Sequence, residues 1–165
     1  LRVLIPIVLI GLLGGCANLQ EPIPPGYAGP TALVGDNCVA ESGSKARCFV
    51  VEAVDGNQIN NALIASRQAS SGNGFALTTR NTARRLTAMS MKVKLVGTHV
   101  TAAPIEALAS KAAGTFFSVE GIVEFTPTAD VVYRVNGELT KERSSVWIEE
   151  ASSGQVVTNK VSSKL

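Results

Sequence analysis

Phe117-Ser118-Val119-Glu120-Gly121-Ile122-Val123-Glu124-Phe125 and Val131-Val132-Tyr133-Arg134-Val135-Asn136-Gly137-Glu138-Leu139 decide the fold class. In the first run Phe117, Val119, Gly121, Val123 and Phe125 alternate with Ser118, Glu120, Ile122 and Glu124. In the second, Val131, Tyr133, Val135, Gly137 and Leu139 alternate with Val132, Arg134, Asn136 and Glu138. A period of two sends successive side chains to opposite faces, so each run reads as a half-buried strand. Thr126-Pro127-Thr128-Ala129-Asp130 lies between them as a loop, and the pair is expected to form an antiparallel hairpin.

The same period recurs outward from this pair. Met91, Val93 and Leu95 alternate with Lys92 and Lys94, and Phe49 to Val54 runs into Asp55-Gly56-Asn57, where Asp-Gly is a strong short-range hairpin signal. Ser145 to Glu149 and Gln155 to Val161, separated by Ser152-Ser153-Gly154, are expected to form the last pair. Helix is expected only over 104–113, where Pro104 suits a first helical position and Gly114 a C-terminal cap. Residues 57–90 carry no clear period. Short strands separated by turns every ~8–12 residues imply a β-sandwich or small barrel. The expected architecture is an all-β, antiparallel β-sandwich of about seven strands, with at most one short helix near 104–113.

Pairing Phe125 with Tyr133 predicts that Val123 faces Val135 and Gly121 faces Gly137 on the core side, with an aromatic such as Phe116 filling the gap between the glycines. Keeping Val146 and Ile148 inside then sets Ile148 beside Val135 and Glu149 beside Arg134. The outer face would carry a charge ladder Glu124–Arg134–Glu149, a device that fixes register more than it adds stability. The neighbouring outer row is Ile122, Asn136 and Trp147. An exposed Trp beside an exposed Ile makes this row the candidate partner surface, unless another layer covers it.

The N-terminus differs in character. Residues 1–15 hold ten Val, Leu and Ile residues and one charge, Arg2. That is too short for a helix across a bilayer core of roughly 30 Å and reads as a signal peptide. Leu13-Gly14-Gly15-Cys16 follows it and resembles the lipobox of bacterial lipoproteins, which implies lipidation of Cys16 with diacylglyceryl and fatty acyl (palmitate-type) chains. Ala17 after the cysteine implies, on the same resemblance, sorting to the outer membrane, facing the periplasm. Residues 16–30 include Pro22, Pro24, Pro25 and Pro30, a composition that favours extended backbone and reads as a tether. The expected domain is 31–165.

Cys38 and Cys48 remain once Cys16 is assigned. In an exported chain they suggest a disulfide, with free thiols or a redox pair as alternatives. The chain of 165 residues has 15 Lys and Arg against 13 Asp and Glu, 5% aromatic residues and a single His. This balance argues against nucleic-acid binding, and the residue supply is poor for acid–base or metal chemistry, so neither a cofactor nor a metal is expected. Gly72-Asn73-Gly74-Phe75 lacks the Lys-Ser/Thr ending of a phosphate loop, and no Gly-x-Ser-x-Gly elbow is present. His99 has no carboxylate following it in sequence until Glu106. No catalytic residue is assigned. Arg80, Arg84, Arg85, Lys92 and Lys94 concentrate positive charge around one loop and strand; they are the candidate anion patch, with a solvated face as the alternative.

Gly26-Tyr27-Ala28-Gly29-Pro30-Thr31-Ala32, Phe49-Val50-Val51-Glu52-Ala53-Val54-Asp55-Gly56, Thr101-Ala102-Ala103-Pro104-Ile105-Glu106-Ala107-Leu108 and Ser145-Val146-Trp147-Ile148-Glu149 resemble a group of proteobacterial lipoproteins. The likeness implies no activity. More distantly, a strand ending in Val-Asp-Gly followed by one of the Tyr133-Arg134-Val135 type is similar to small lipoprotein domains with a transthyretin-like sandwich, so the expected sandwich is immunoglobulin- or transthyretin-like. The function expected from all of this is contact: a lipid-anchored, non-catalytic module with an envelope protein partner. A glycan- or anion-binding module is the alternative, and a hydrolase using His99 is the third reading.

Overall fold

The computed structural model describes residues 19–164, so the expected signal peptide and Cys16 lie outside the described residues. The elements follow in the order β1 (Thr31–Gly35), β2 (Asn37–Ala40), β3 (Lys45–Val54), β4 (Asn57–Gln58), α1 (Ala62–Ser70), β5 (Ala83–Thr87), β6 (Met91–Thr101), α2 (Pro104–Ala112), β7 (Ser118–Phe125), β8 (Val132–Leu139), β9 (Arg143–Glu150) and β10 (Val161–Lys164). One sheet has the order β10-β9-β8-β1-β5 and the other β2-β3-β6-β7, with β4 added to β3. The fold is mostly β, in two sheets. Phe49, Val51, Val93, Leu95, Val123 and Phe125 of the second sheet and Val34, Leu86, Tyr133, Val135, Val146 and Ile148 of the first form one buried core.

Four expectations are corrected. The described residues hold ten strands in place of about seven and two helices in place of at most one. The sheets are not wholly antiparallel, because β1 and β8 run parallel, with Leu33 beside Val132 and Gly35 beside Arg134. The two alternating runs are not a hairpin: β7 belongs to one sheet and β8 to the other. Phe125 and Tyr133 do meet, edge to face with centroids 5.2 Å apart, but across the core. The connecting loop explains the crossing, since the Asp130 amide donates to Thr31 O at 2.9 Å and ties the start of β8 to β1. Gly121 and Gly137 therefore do not face each other along a sheet. A side chain at Gly137 would collide with Phe49, and one at Gly121 with Val161.

Much of the local pattern holds. Met91, Val93 and Leu95 face the core. Asp55 and Gly56, both at positive φ, close the two-residue turn from β3 to β4. Arg134 pairs with Glu149, Val135 with Ile148 and Asn136 with Trp147. Glu124 stands beside Lys92 instead, so the expected three-charge ladder reduces to Arg134–Glu149. The final pairing is antiparallel, with Val161 beside Val146, but its second strand is Val161–Lys164 in place of the expected 155–161; residues 155–160 follow β9 more loosely, through an isolated bridge from Val156 to Glu149.

Helix α1 carries no apolar period because its buried face is Ala62, Leu63, Ser66 and Ser70. The serines bind backbone: Ser66 Oγ accepts from the Arg80 amide at 2.9 Å and Ser70 Oγ from the Thr78 amide at 2.9 Å. Together they hold 78–80 beside the helix. Asn61 caps the helix by accepting from the amides of Leu63 and Ile64. Ala62 and Leu63 cover Cys38, Cys48, Val50 and Val96 on the outer face of the β2-β3-β6-β7 sheet, making a second, smaller core. Cys38 and Cys48 are directly paired across β2 and β3 and joined by a disulfide.

Asp36 is the single residue between β1 in one sheet and β2 in the other. Its side chain is fully buried. Oδ1 accepts from the Val51 amide (3.1 Å) and Arg84 Nη1 (2.6 Å); Oδ2 accepts from the Ala62 amide (2.8 Å), Thr82 Oγ1 (2.7 Å) and Arg84 Nη2. Five donors from four residues in three chain segments satisfy one carboxylate. Residues 19–30, the described part of the expected tether, lie along the fold, with the Gln20 amide donating to Gln58 O at 2.8 Å and the Tyr27 hydroxyl to Pro30 O at 2.9 Å.

Asp36→Asn is expected to lower the unfolding free energy by about 3–5 kcal/mol, because it leaves the Arg84 guanidinium buried against a neutral partner; urea titration followed by Trp147 fluorescence measures this, and a loss below ~1 kcal/mol would show that the corner holds without the charge. Removing the disulfide by paired Ser substitution at Cys38 and Cys48 is expected to lose about 2–3 kcal/mol, the loop-closure value for so short a span.

Candidate functional site

The sequence-predicted residues separate in space. Trp147 is buried, at 7% exposure. Its indole Nε1 donates to Glu149 Oε2 at 2.9 Å, and Lys160 from the segment after β9 lies 4.0 Å over its ring. Glu149 Oε1 accepts from Arg134 at 2.6 Å and Asn136 at 2.9 Å. Trp147 and Asn136 are thus parts of a closed network, which corrects the expected partner row. Burial pushes the Glu149 carboxyl up, but hydrogen bonds from Arg134, Trp147 and Asn136 outweigh it and hold the group below its ordinary value.

The candidate anion patch also disperses. Arg84 points inward to Asp36, Arg85 is exposed and bonds Thr31 Oγ1, and Arg80 is exposed beside α1. Lys92 and Lys94 lie on the other sheet. Lys94 is ion-paired to Glu52 at 2.6 Å and to Glu120 at 3.3 Å, and the Glu52 hydrogen bond, over the opposing effect of burial, raises its pKa.

What the structure does bring together is Lys92, Lys94 and Ile122. They share a groove of about 550 Å³ on the outer face of the β2-β3-β6-β7 sheet with Glu52, Ala53, Asp55, Gly56 and Gln58. Ile122 is 67% exposed, opposite Lys94 in register and flanked along its own strand by Glu120 and Glu124. The bulge at Glu52, where β3 skips one residue against β6, turns that carboxylate toward Lys94. An apolar side chain ringed by charges is suited to burial under a partner, with the rim excluding water. The carboxylates of this rim are candidate site residues, and the alternation Glu120-Ile122-Glu124 in the sequence already places two of them beside Ile122.

A second cleft, of about 580 Å³, lies between the end of α1 and the start of α2 and is lined by Arg67, Ser70, Gly72, His99, Ala107 and Phe116 among others. His99 is buried. Its Nδ1 accepts from the Phe117 amide at 2.9 Å and its Nε2 lies 3.4 Å from Glu41 Oε2. The ring is therefore the Nε2–H tautomer, engaged on both nitrogens and turned to no nucleophile. Burial pushes its pKa down; the Glu41 charge opposes this and Lys45 adds to it. Among the described residues no group of three or more His, Cys, Asp or Glu side chains could hold a metal ion, and no helix is long and apolar enough to cross a membrane. A search of known protein families, curated proteins and solved structures finds no match for the chain.

The two depressed pKa values give stability a two-step acid dependence. Unfolded His99 titrates near 6.5 and the folded ring lower, so the unfolded chain holds the extra proton between those values and stability falls as the pH drops below 6.5. Glu149 adds a second loss as the pH falls from 4.5 through its lower folded value. Thermal midpoints recorded from about pH 8 to pH 3 are expected to lose the upper step in His99→Gln and the lower step in Glu149→Gln.

Proposed function

We propose that this chain is a lipid-anchored lipoprotein of the bacterial envelope, held through Cys16 on the periplasmic face of the outer membrane. Its sandwich, of the immunoglobulin- or transthyretin-like kind, acts there as a protein-contact module without chemistry of its own. The apolar run 1–15 ending in Leu13-Gly14-Gly15-Cys16 supports the anchor. The Cys38–Cys48 disulfide suits an oxidising compartment. The observation that carries the contact reading is Ile122, two-thirds exposed on a sheet face at the rim of a groove, while the one tryptophan is used inside the fold.

An anchor at Cys16 would bring the groove near the lipid. Leu19 lines a depression with Glu52 and Gln58, and both of these also line the Ile122 groove. The three residues from Cys16 to Leu19 span roughly 10 Å when extended. The contact surface would then stand close above the lipid.

Two measurements test the reading. Cys16→Ser is expected to move the chain from the membrane to the soluble fraction. A photo-crosslinking amino acid at position 122, in cells carrying the lipidated chain, is expected to give a discrete protein adduct that the same probe at exposed Phe75 does not; identical patterns at both positions, or no adduct at 122, would remove the contact reading.

A further inference from the structure

The charge around Ile122 has the opposite sign to the one suggested by the lysines in the sequence. Glu52 and Asp55 line the groove, and Glu120 and Glu124 flank Ile122 along β7 on the same face. These four carboxylates face two ammonium groups, Lys92 and Lys94. Lys94 is spent on Glu52 and Glu120, and Lys92 stands beside Glu124. Arg67 adjoins Glu52 and Glu120 in the neighbouring pocket, so four carboxylates stand against three cations and the apolar centre sits in a net negative field. We infer that the Ile122 groove is a docking site for a partner segment carrying an apolar side chain between lysines or arginines. This rests on the contact reading above and gives it a chemistry.

The apolar centre and the acidic rim select together. An apolar side chain laid on Ile122 removes surface from water on both partners, and flanking cations find Glu120 and Glu124 on either side of it. An acidic segment would meet the excess carboxylate charge at short range as its own charge was desolvated. An anionic lipid surface meets the same repulsion, although the groove stands near the expected anchor.

The test uses the Cys16→Ser chain labelled with ¹⁵N and two probes, the pentapeptide Lys-Lys-Leu-Lys-Lys and its counterpart Glu-Glu-Leu-Glu-Glu. The basic peptide is expected to shift the amides of 92–94 and 120–124, with an affinity that weakens severalfold on adding salt. The acidic peptide is expected to bind at least tenfold more weakly. Ile122→Ser should lower the affinity for the basic peptide by about tenfold, and Glu120→Lys combined with Glu124→Lys should reverse the preference between peptides. Equal binding of both peptides, or binding of the basic one indifferent to salt, would overturn the inference. So would self-association in sedimentation, or binding to phosphatidylglycerol vesicles, that Ile122→Ser abolishes. A discrete adduct at residue 122 without preference for the basic peptide would sink this inference alone, whereas absence of any such adduct removes the contact reading beneath it.

Discussion

One buried ion pair organises the molecule. Asp36 occupies the corner where the chain leaves one sheet for the other, and its carboxylate is shared by the amide of Val51, the first turn of α1, the Thr82 hydroxyl and the guanidinium of Arg84. Without it the Val51 and Ala62 amides would be left unsatisfied. Val51 lies on β3 between the stretches paired with β2 and β4, so its amide has no strand partner on that side. The first amide of α1 is an orphan of helix geometry. A lone carboxylate here would be unfavourable, and so would a lone guanidinium. Together, with every lone pair engaged, they fix how the helix, the corner and the edge strand β5 meet.

The sequence made the faces of the strands legible more readily than their neighbours. Alternation marked Val123, Phe125, Tyr133 and Val135 as inward, and they are inward. It could not say that β7 and β8 lie in opposite sheets, because two runs joined by a short loop have the same pattern whether they pair side by side or cross the core. The deciding contact, Asp130 to Thr31, spans most of the chain. Register within β8 and β9 was readable, since parity and charge pointed to the same pairing of Arg134 with Glu149. Helix α1 was hidden because serines bonded to backbone replace the apolar residues on its buried face.

The candidate site shows the same division. Ile122 was correctly marked as outward, but its expected companions Asn136 and Trp147 lie on the other sheet, where Lys160 lies over the indole. The basic residues counted together in sequence were five; folding points Arg84 inward, leaves Arg85 at the edge of the other sheet and Arg80 beside α1, sets Lys92 opposite Glu124, and neutralises Lys94 with carboxylates from β3 and β7. Local charge density along a chain says little when strands from elsewhere supply the counter-ions. Only the register of β6 against its two neighbours gives the patch its sign.

The disulfide is roofed over. Cys48 is fully buried and Cys38 nearly so, both in the small core beneath Ala62 and Leu63. A thiol reagent approaching in line with the sulfur–sulfur bond must wait until the helix lifts. The rate of reduction under native conditions is then a clock for that local opening, governed by how often α1 leaves the sheet more than by the strength of the reductant. Because the first turn of α1 is held by Asp36 and its later turns by Ser66 and Ser70, the clock reads the integrity of the buried corner from the far side of the sheet.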